Sequence, residues 1–195
     1  MEQKINAIIR ATTLIQDNNI SGAEEIISKE YPFVPIRSEE RKYSVLEMMQ
    51  QFFRDGFIDR YSGNRLINSG MLRILSEFMP DAFPYQAHWK MDKCHIAYWD
   101  FQPTIDHIQP VSLGGKDAPE NWATTSMVHN SAKSNYTLEQ LGWTLKDGGD
   151  IHKWNGLSTE FVSLVENNPC LKQIIRIKSY YEATKKVLKQ FDLNK

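Results

Sequence analysis

The sequence predicts an α+β fold, mainly helical, arranged around one small unit with short antiparallel strands. Three observations lead to that class. Apolar residues recur at helical spacing over much of the chain, often behind residues suited to capping. Two short β-compatible runs, residues 104–107 and 122–125, flank a loop that contains Gly114 and Gly115. Ser126, directly after the second run, can cap a helix over residues 127–135, which gives the local order strand, long loop, strand, helix.

Taken in order, residues 2–16 place Ile5, Ile8, Ile9, Leu14 and Ile15 near helical spacing, and Asp17, Asn18 and Asn19 supply a stop. A second helix is expected to open at Ser21, where Glu24 completes a capping box, and to end near Tyr31 and Pro32. Ser38, followed by Glu39 and Glu40, is the expected cap of a helix that buries Val45, Met48, Met49, Phe52 and Phe53 and stops at Gly56. Residues 55–67 read as a small hairpin. Arg54, Arg60 and Arg65 crowd it, either as surface partners of Asp55 and Asp59 or as phosphate contacts. A helix follows around residues 71–79, and Pro80 and Pro84 bound the turn after it. Residues 88–106, with Trp89, Ile96, Tyr98, Trp99 and Phe101, read as extended structure leading into the central unit. Beyond that unit, Thr137 and Gln140 open a short helix and residues 158–166 form another. Leu171, Ile174, Ile175, Tyr181, Val187, Leu188 and Phe191 mark the apolar face of the last.

A chain of 195 residues supports one substantial core. The expected organisation is a helical region over residues 1–55, a core over 56–145 and a C-terminal helical region over 146–195, packed on the same single domain. Hydrophobic residues at 41% and charged residues at 24% exclude a globally disordered chain. The formal charge of −1 does not exclude a polyanionic partner, because local patches decide phosphate binding. One such patch is the tail, where the lysines and arginines of residues 171–195 outweigh Glu182 and Asp192 to leave +5. Cys94 and Cys170 form no CxxC pair, which gives neither a disulfide framework nor a zinc ribbon. His88, Cys94 and His95 also lack the close pairing of a structural zinc site. The first residues carry no signal-peptide core and no membrane span, so a cytoplasmic location without a membrane partner is expected.

The chemistry concentrates in residues 103–135, PTIDHIQPVSLGGKDAPENWATTSMVHNSAKSN. This stretch gathers Asp106 and His107, then Asn121, then His129 and Asn130, and finally Lys133. Adjacent residues on a strand point to opposite faces, so Asp106 and His107 serve one site only from two sides of a bound group or across a bend. On a helix, Asn130 and Lys133 share a face, whereas His129 and Asn130 diverge by about 100°. The order Asp-His, Asn, His-Asn-x-x-Lys on a strand-strand-helix frame resembles the HNH endonuclease family, whose fold is the ββα-metal finger, here over residues 103–136. More loosely, DGFIDRYSG and the HWK and HIAYW stretches look like the flanks of the finger in bacterial HNH proteins of restriction or defence type.

That resemblance implies a Mg2+-dependent endonuclease acting on double-stranded DNA, with Mn2+ as a substitute ion, which leaves 5′-phosphate and 3′-hydroxyl ends in a restriction or defence role. His107 matches the general base, a task suited to a neutral imidazole. Asp106 and Asn130 match the two protein ligands of the ion, a donor set that suits magnesium because magnesium keeps much of its water shell. Asn121 resembles the residue that positions the long loop, and Lys133 either binds a phosphate or braces the helix. The sequence departs from the family in two ways. Asn130 stands where the family name has His, which leaves His129 open as a ligand. The cysteine pairs that hold zinc in many relatives are missing, so no structural zinc is expected and hydrophobic packing is expected to hold the finger. One finger makes one cut, so cutting both strands implies a homodimer or two successive events. Two rival readings stay open: a catalytically silent nucleic-acid-binding module, and a zinc-dependent hydrolase using His88, Cys94, His95 or His129.

Overall fold

The computed structural model describes residues 2–34 and 43–193. Helix accounts for 54% of the chain, and the sheet among the described residues has two strands, so the fold is a mainly helical α+β fold. The chain divides into two compact units at residues 40 and 41. The helical region drawn over residues 1–55 is therefore split, and its last helix belongs with the second unit.

In the first unit α1 (Glu2–Gln16) and α2 (Ile20–Glu30) form a helical hairpin. Its buried residues are Ala7, Ala11 and Ala23, side chains small enough to let two helices approach closely, and Arg10 pairs with Glu30. The cap of α2 is Asn19, whose side chain accepts from the Gly22 N–H at 3.0 Å, and not Ser21. Asn at this position satisfies an open N–H of the first turn, which draws the helix start ahead of the Ser-x-x-Glu signal.

The second unit opens with α3 (Val45–Arg54). Ser44 and Glu47 close a reciprocal capping box, with Ser44 Oγ accepting from the Glu47 N–H at 3.2 Å and the Glu47 carboxylate accepting from the Ser44 N–H at 2.9 Å. The expected cap, Ser38, lies outside the described residues. Met49, Phe52 and Phe53 of α3 pack with Phe57 and Ile151 against Ala183, Val187 and Leu188 of α9 (Ile175–Gln190). Gly56, at φ +62°, ends α3, and a Cβ there would lie 2.3 Å from the Gly149 carbonyl oxygen. The hairpin after it is reduced to a single bridge, Ile58 to Arg65.

A second apolar cluster joins α4 (Ser69–Phe78) to α8 (Ser158–Asn167) and α9 through Met71, Ile74, Phe161, Val165, Ile177 and Tyr181. The extended reading of residues 88–106 is corrected. Residues 97–101 form the short helix α5 (Ala97–Phe101), and the strand begins only at Pro103. Ala97 and Tyr98 are both buried, which a one-sided strand does not allow for adjacent residues. Tyr98 sits among Phe83, Tyr85 and Trp89 and donates its hydroxyl proton to the Leu72 carbonyl at 2.9 Å.

The central unit consists of β1 (Pro103–His107), β2 (Trp122–Ser126) and α6 (Met127–Lys133), followed by the short α7 (Leu138–Leu141). The strands are antiparallel, with Thr104 opposite Thr125 and Asp106 opposite Ala123. An isolated pair of strands is marginal in water, and its free edges invite pairing. Here the free edge of β2 is closed by residues 55–60. Asp55 Oδ2 accepts from the Thr124 N–H at 2.8 Å, the Arg60 N–H donates to the Thr124 carbonyl at 2.8 Å, and Asp59 Oδ2 accepts from the Ser126 N–H at 2.9 Å. Two carboxylates and one peptide thus stand in for a third strand. Among the described residues no helix is long and apolar enough to cross a membrane.

Asp55 also accepts from Gln51 Nε2 at 2.7 Å and pairs with Arg60 at 2.9 Å. Asp55→Ala leaves all three donors without their acceptor and is expected to lower stability by about 2–4 kcal/mol in urea unfolding. Unchanged stability would mean that other groups close the sheet edge.

Candidate functional site

Thr104 and Asp106 lie two residues apart on β1 and share the face turned toward α6. Asn130 Nδ2 donates to Thr104 Oγ1 at 2.9 Å and to the Ile105 carbonyl at 3.2 Å. The orientation of this amide is fixed. A carbonyl can only accept, and the Thr104 hydroxyl spends its own proton on the Thr125 carbonyl at 3.2 Å. The nitrogen therefore faces β1, and Oδ1 is left without a hydrogen-bond partner among the described residues.

Asp106 is buried on the same face. Its Oδ2 accepts from the Tyr61 hydroxyl at 2.5 Å and pairs with the Lys133 ammonium at 2.8 Å. Burial first, then the charge and hydrogen bond of Asp106, push the Tyr61 phenol well above its ordinary range, so Tyr61 keeps its proton and acts as a donor. Lys133 is fully buried and also donates to the His107 carbonyl at 2.7 Å. Of its two expected roles it takes the brace. Phosphate binding is corrected because both bonds hold the ammonium inside, between α6 and the end of β1.

His107 points to the other face of the strand, as the alternation requires. It is 4% exposed, and its Nε2 lies 2.8 Å from Asp117 Oδ1 and 3.3 Å from the Tyr43 hydroxyl. The same Asp117 oxygen accepts from the Tyr43 hydroxyl at 2.7 Å and from Trp122 Nε1 at 2.8 Å. Burial pushes the Asp117 carboxyl up, but the bonds from His107, Tyr43 and Trp122 prevail and hold it below the usual carboxylate range. An ionised Asp117 can only accept, so the hydrogen bond is donated by Nε2–H of the imidazole. In the neutral ring the lone pair then falls to Nδ1, which meets no hydrogen-bond partner among the described residues. Neither Tyr43 nor Asp117 stands out in the sequence. The available signal was an acidic residue inside the loop after His107, which spacing alone does not distinguish from a turn residue.

Asn121 supplies the geometry that spacing lacks. Its Oδ1 accepts from the Gln109 N–H at 2.8 Å, while its Nδ2 donates to the Gln109 and Lys116 carbonyls, each at 2.8 Å. These bonds close the loop and bring Asp117 to His107. Gly115 makes the closure possible, since a Cβ there would lie 1.9 Å from the Gln109 carbonyl oxygen.

His129 turns away from this arrangement. Its Nδ1 lies 2.7 Å from Asp59 Oδ2 and 2.9 Å from Ser126 Oγ, so Asn130, and not His129, shares the Asp106 face. Asp59 is fully buried and also accepts from the Tyr61 and Ser62 N–H groups at 2.9 and 3.2 Å and from Thr125 Oγ1 at 3.1 Å. The expected pairing of Asp59 with surface arginines is thereby corrected. Arg60 pairs with Asp55, Arg54 donates to Gln51, and Arg65 lies 5.1 Å over the Trp154 ring. The expectation that hydrophobic packing holds the finger is corrected too, because a buried polar latch does much of that work.

The remaining candidates stay dispersed. Cys94 is buried beside Tyr98, the His95 ring stacks on Phe83 at 4.2 Å, and His88 is exposed. In the basic tail Lys185 pairs with Glu166 at 2.5 Å, and Lys172 lies 4.7 Å over the Tyr181 ring.

Among the described residues no group of three or more His, Cys, Asp or Glu converges to hold an ion. The donor set on the α6 face is of another kind: the second Asp106 oxygen and Asn130 Oδ1, two hard oxygens of which one is neutral. Such a set fits a magnesium ion that keeps most of its water. Compared with known proteins, the chain matches no family model, no curated protein and no solved structure.

Burial raises the Asp59 carboxyl, while the bonds from Ser126, Tyr61 and His129 outweigh it and hold the group below its usual range. A carboxyl depressed in the folded state stabilises fully above its unfolded value of about 3.9 and loses that contribution as pH falls through the folded value. The protein is therefore expected to lose stability steeply below about pH 4, whereas Asp59→Asn is less stable at neutral pH and shows a shallower acid dependence. Urea unfolding followed by tryptophan fluorescence across the acid range checks this. Parallel profiles for the two proteins would remove Asp59 as a source of the acid sensitivity.

Proposed function

We propose that the chain is a Mg2+-dependent DNA endonuclease of the HNH type, which hydrolyses phosphodiester bonds to 5′-phosphate and 3′-hydroxyl ends and serves in restriction or defence. The observation that carries this reading is the His107–Asp117 pair on the strand-strand-helix frame. It supports His107 as general base because Asp117 holds the Nε2 proton, leaving Nδ1 to take a proton from the attacking water. Asp106 and Asn130 would hold the ion, which when bound draws charge from the scissile phosphate and the leaving 3′ oxygen. Asn130 needs no rearrangement for that role, since its amide is already oriented by Thr104 and Ile105. Tyr61 and Lys133 fix the Asp106 carboxylate through its other oxygen. Asp117 is a positioning residue, acting through His107, and Asn121 holds the loop that delivers it. Double-stranded DNA is the proposed substrate. A homodimer is one route to cutting both strands.

A second reading, a nucleic-acid-binding module that does no chemistry, draws on the Lys133–Asp106 pair, which already neutralises the carboxylate proposed as ligand. The two readings separate on supercoiled plasmid incubated with Mg2+ and sequenced at its ends. Cleavage with 5′-phosphate ends is expected, and a plasmid that stays intact while the protein retards it on a gel would select the second reading. His107→Ala is expected to slow nicking by about 10²–10⁴-fold with DNA binding retained. Asp117→Asn is expected to cost about 10²-fold or more, because an amide can offer Nε2 a proton and so reverse the tautomer. Wild-type rates in His107→Ala would sink the proposed mechanism.

A further inference from the structure

We infer that the cavity bounded by Tyr61, His129, Trp143 and Lys146 is a pocket for one nucleobase of the substrate strand; the assignment of the ligand to nucleic acid rests on the proposed function. The cavity measures about 300 Å³, a size suited to one small aromatic group. Three rings form its walls. The Trp143 ring lies 5.7 Å from that of Tyr61 and 5.8 Å from that of His129, and aromatic walls of this kind hold bases by stacking, with a preference that follows stacking strength. The cavity also adjoins the proposed site, since Tyr61 reaches from its wall to Asp106 with its hydroxyl.

The walls are fixed before any ligand arrives. Gly142, at φ +65°, ends α7 and turns the chain into the cavity, where the Trp143 N–H donates to the Leu138 carbonyl at 2.9 Å. The next residues are clamped to residue 60, with the Lys146 N–H donating to the Arg60 carbonyl at 2.7 Å and Arg60 Nε donating back to the Lys146 carbonyl.

The lining decides between a base and a phosphate. His129 Nδ1 lies 2.7 Å from Asp59 Oδ2 and 2.9 Å from Ser126 Oγ, which holds the ring in place as a wall of the cavity. A planar base stacks on ring walls of this kind, whereas a phosphate needs cations, and Lys146 is the cation among the described lining residues. Lys146, exposed at the rim, suits the phosphate of the same nucleotide.

The test is a titration of the wild-type protein with each uncharged deoxynucleoside and, separately, with inorganic phosphate, following the His129 imidazole and Trp143 indole resonances by NMR. At least one deoxynucleoside is expected to shift both saturably, with inorganic phosphate leaving them in place. Shifts by phosphate alone, or by neither, overturn the inference. A second arm sequences the cuts made in a randomised duplex. Wild type is expected to show a preference of about tenfold for one base at a fixed distance from the cut, and Trp143→Ala, which makes no bond to Asp59, to flatten it. Cutting by the wild type without any such preference also overturns the pocket. If the wild type cuts nothing, the proposed function falls while the titration still decides what the cavity binds.

Discussion

The buried carboxylate of Asp59 is the interaction on which the central unit depends. Taking a carboxylate out of water costs several kcal/mol, and the cost is offset only by good hydrogen bonds to the charged form. Asp59 has five hydrogen-bond partners around it, from the turn at Tyr61 and Ser62, from Thr125 and Ser126 of β2, and from His129 of α6. One charge therefore fixes a turn, a strand edge and a helix start at once. Asp55, four residues earlier, holds Thr124 in the same manner. Without these two groups β2 would expose a free edge, and the helix that carries Asn130 and Lys133 would lose its anchor.

Tyr61 passes this constraint on to the site. Its backbone N–H is bound to Asp59 and its hydroxyl to Asp106, so the latch and the proposed metal-binding carboxylate are joined through one rigid side chain. Lys133 makes the corresponding link from α6 to Asp106 and to the end of β1. A substitution that loosens the latch is thus transmitted to the Asp106 face, although none of its atoms touches the site.

The elements that sequence patterns identify well are those whose local signal agrees with their packing. The stop of α3 at Gly56, the Ser126 cap of α6, the Thr137–Gln140 box and both short strands fall where the residues indicated. In the site, the placement of Asp106 and His107 on one strand and Asn130 on the helix was legible, because alternation and helical period are local rules. The partners were not. Asp117 reaches His107 only after Asn121 closes the loop, and Asp59 and His129 meet from positions 70 residues apart in the chain. Residues 88–101 misled for a related reason: aromatic content indicated strand, while the tertiary cluster around Tyr98 favoured a short helix.

The two faces of β1 constrain how the proposed chemistry can operate. Asp106 is enclosed by Tyr61 and Lys133 on the α6 side, and His107 by Asp117 and Tyr43 on the other. A strand cannot turn both side chains to one side, so a phosphate served by both groups must lie off the end of the strand. His107 is the last residue of β1, which makes that position the point where strand gives way to loop. In the proposed chemistry the loop closed by Asn121 would act on the reaction directly: it sets the end of the strand, and through Asp117 it would set which imidazole nitrogen faces the substrate.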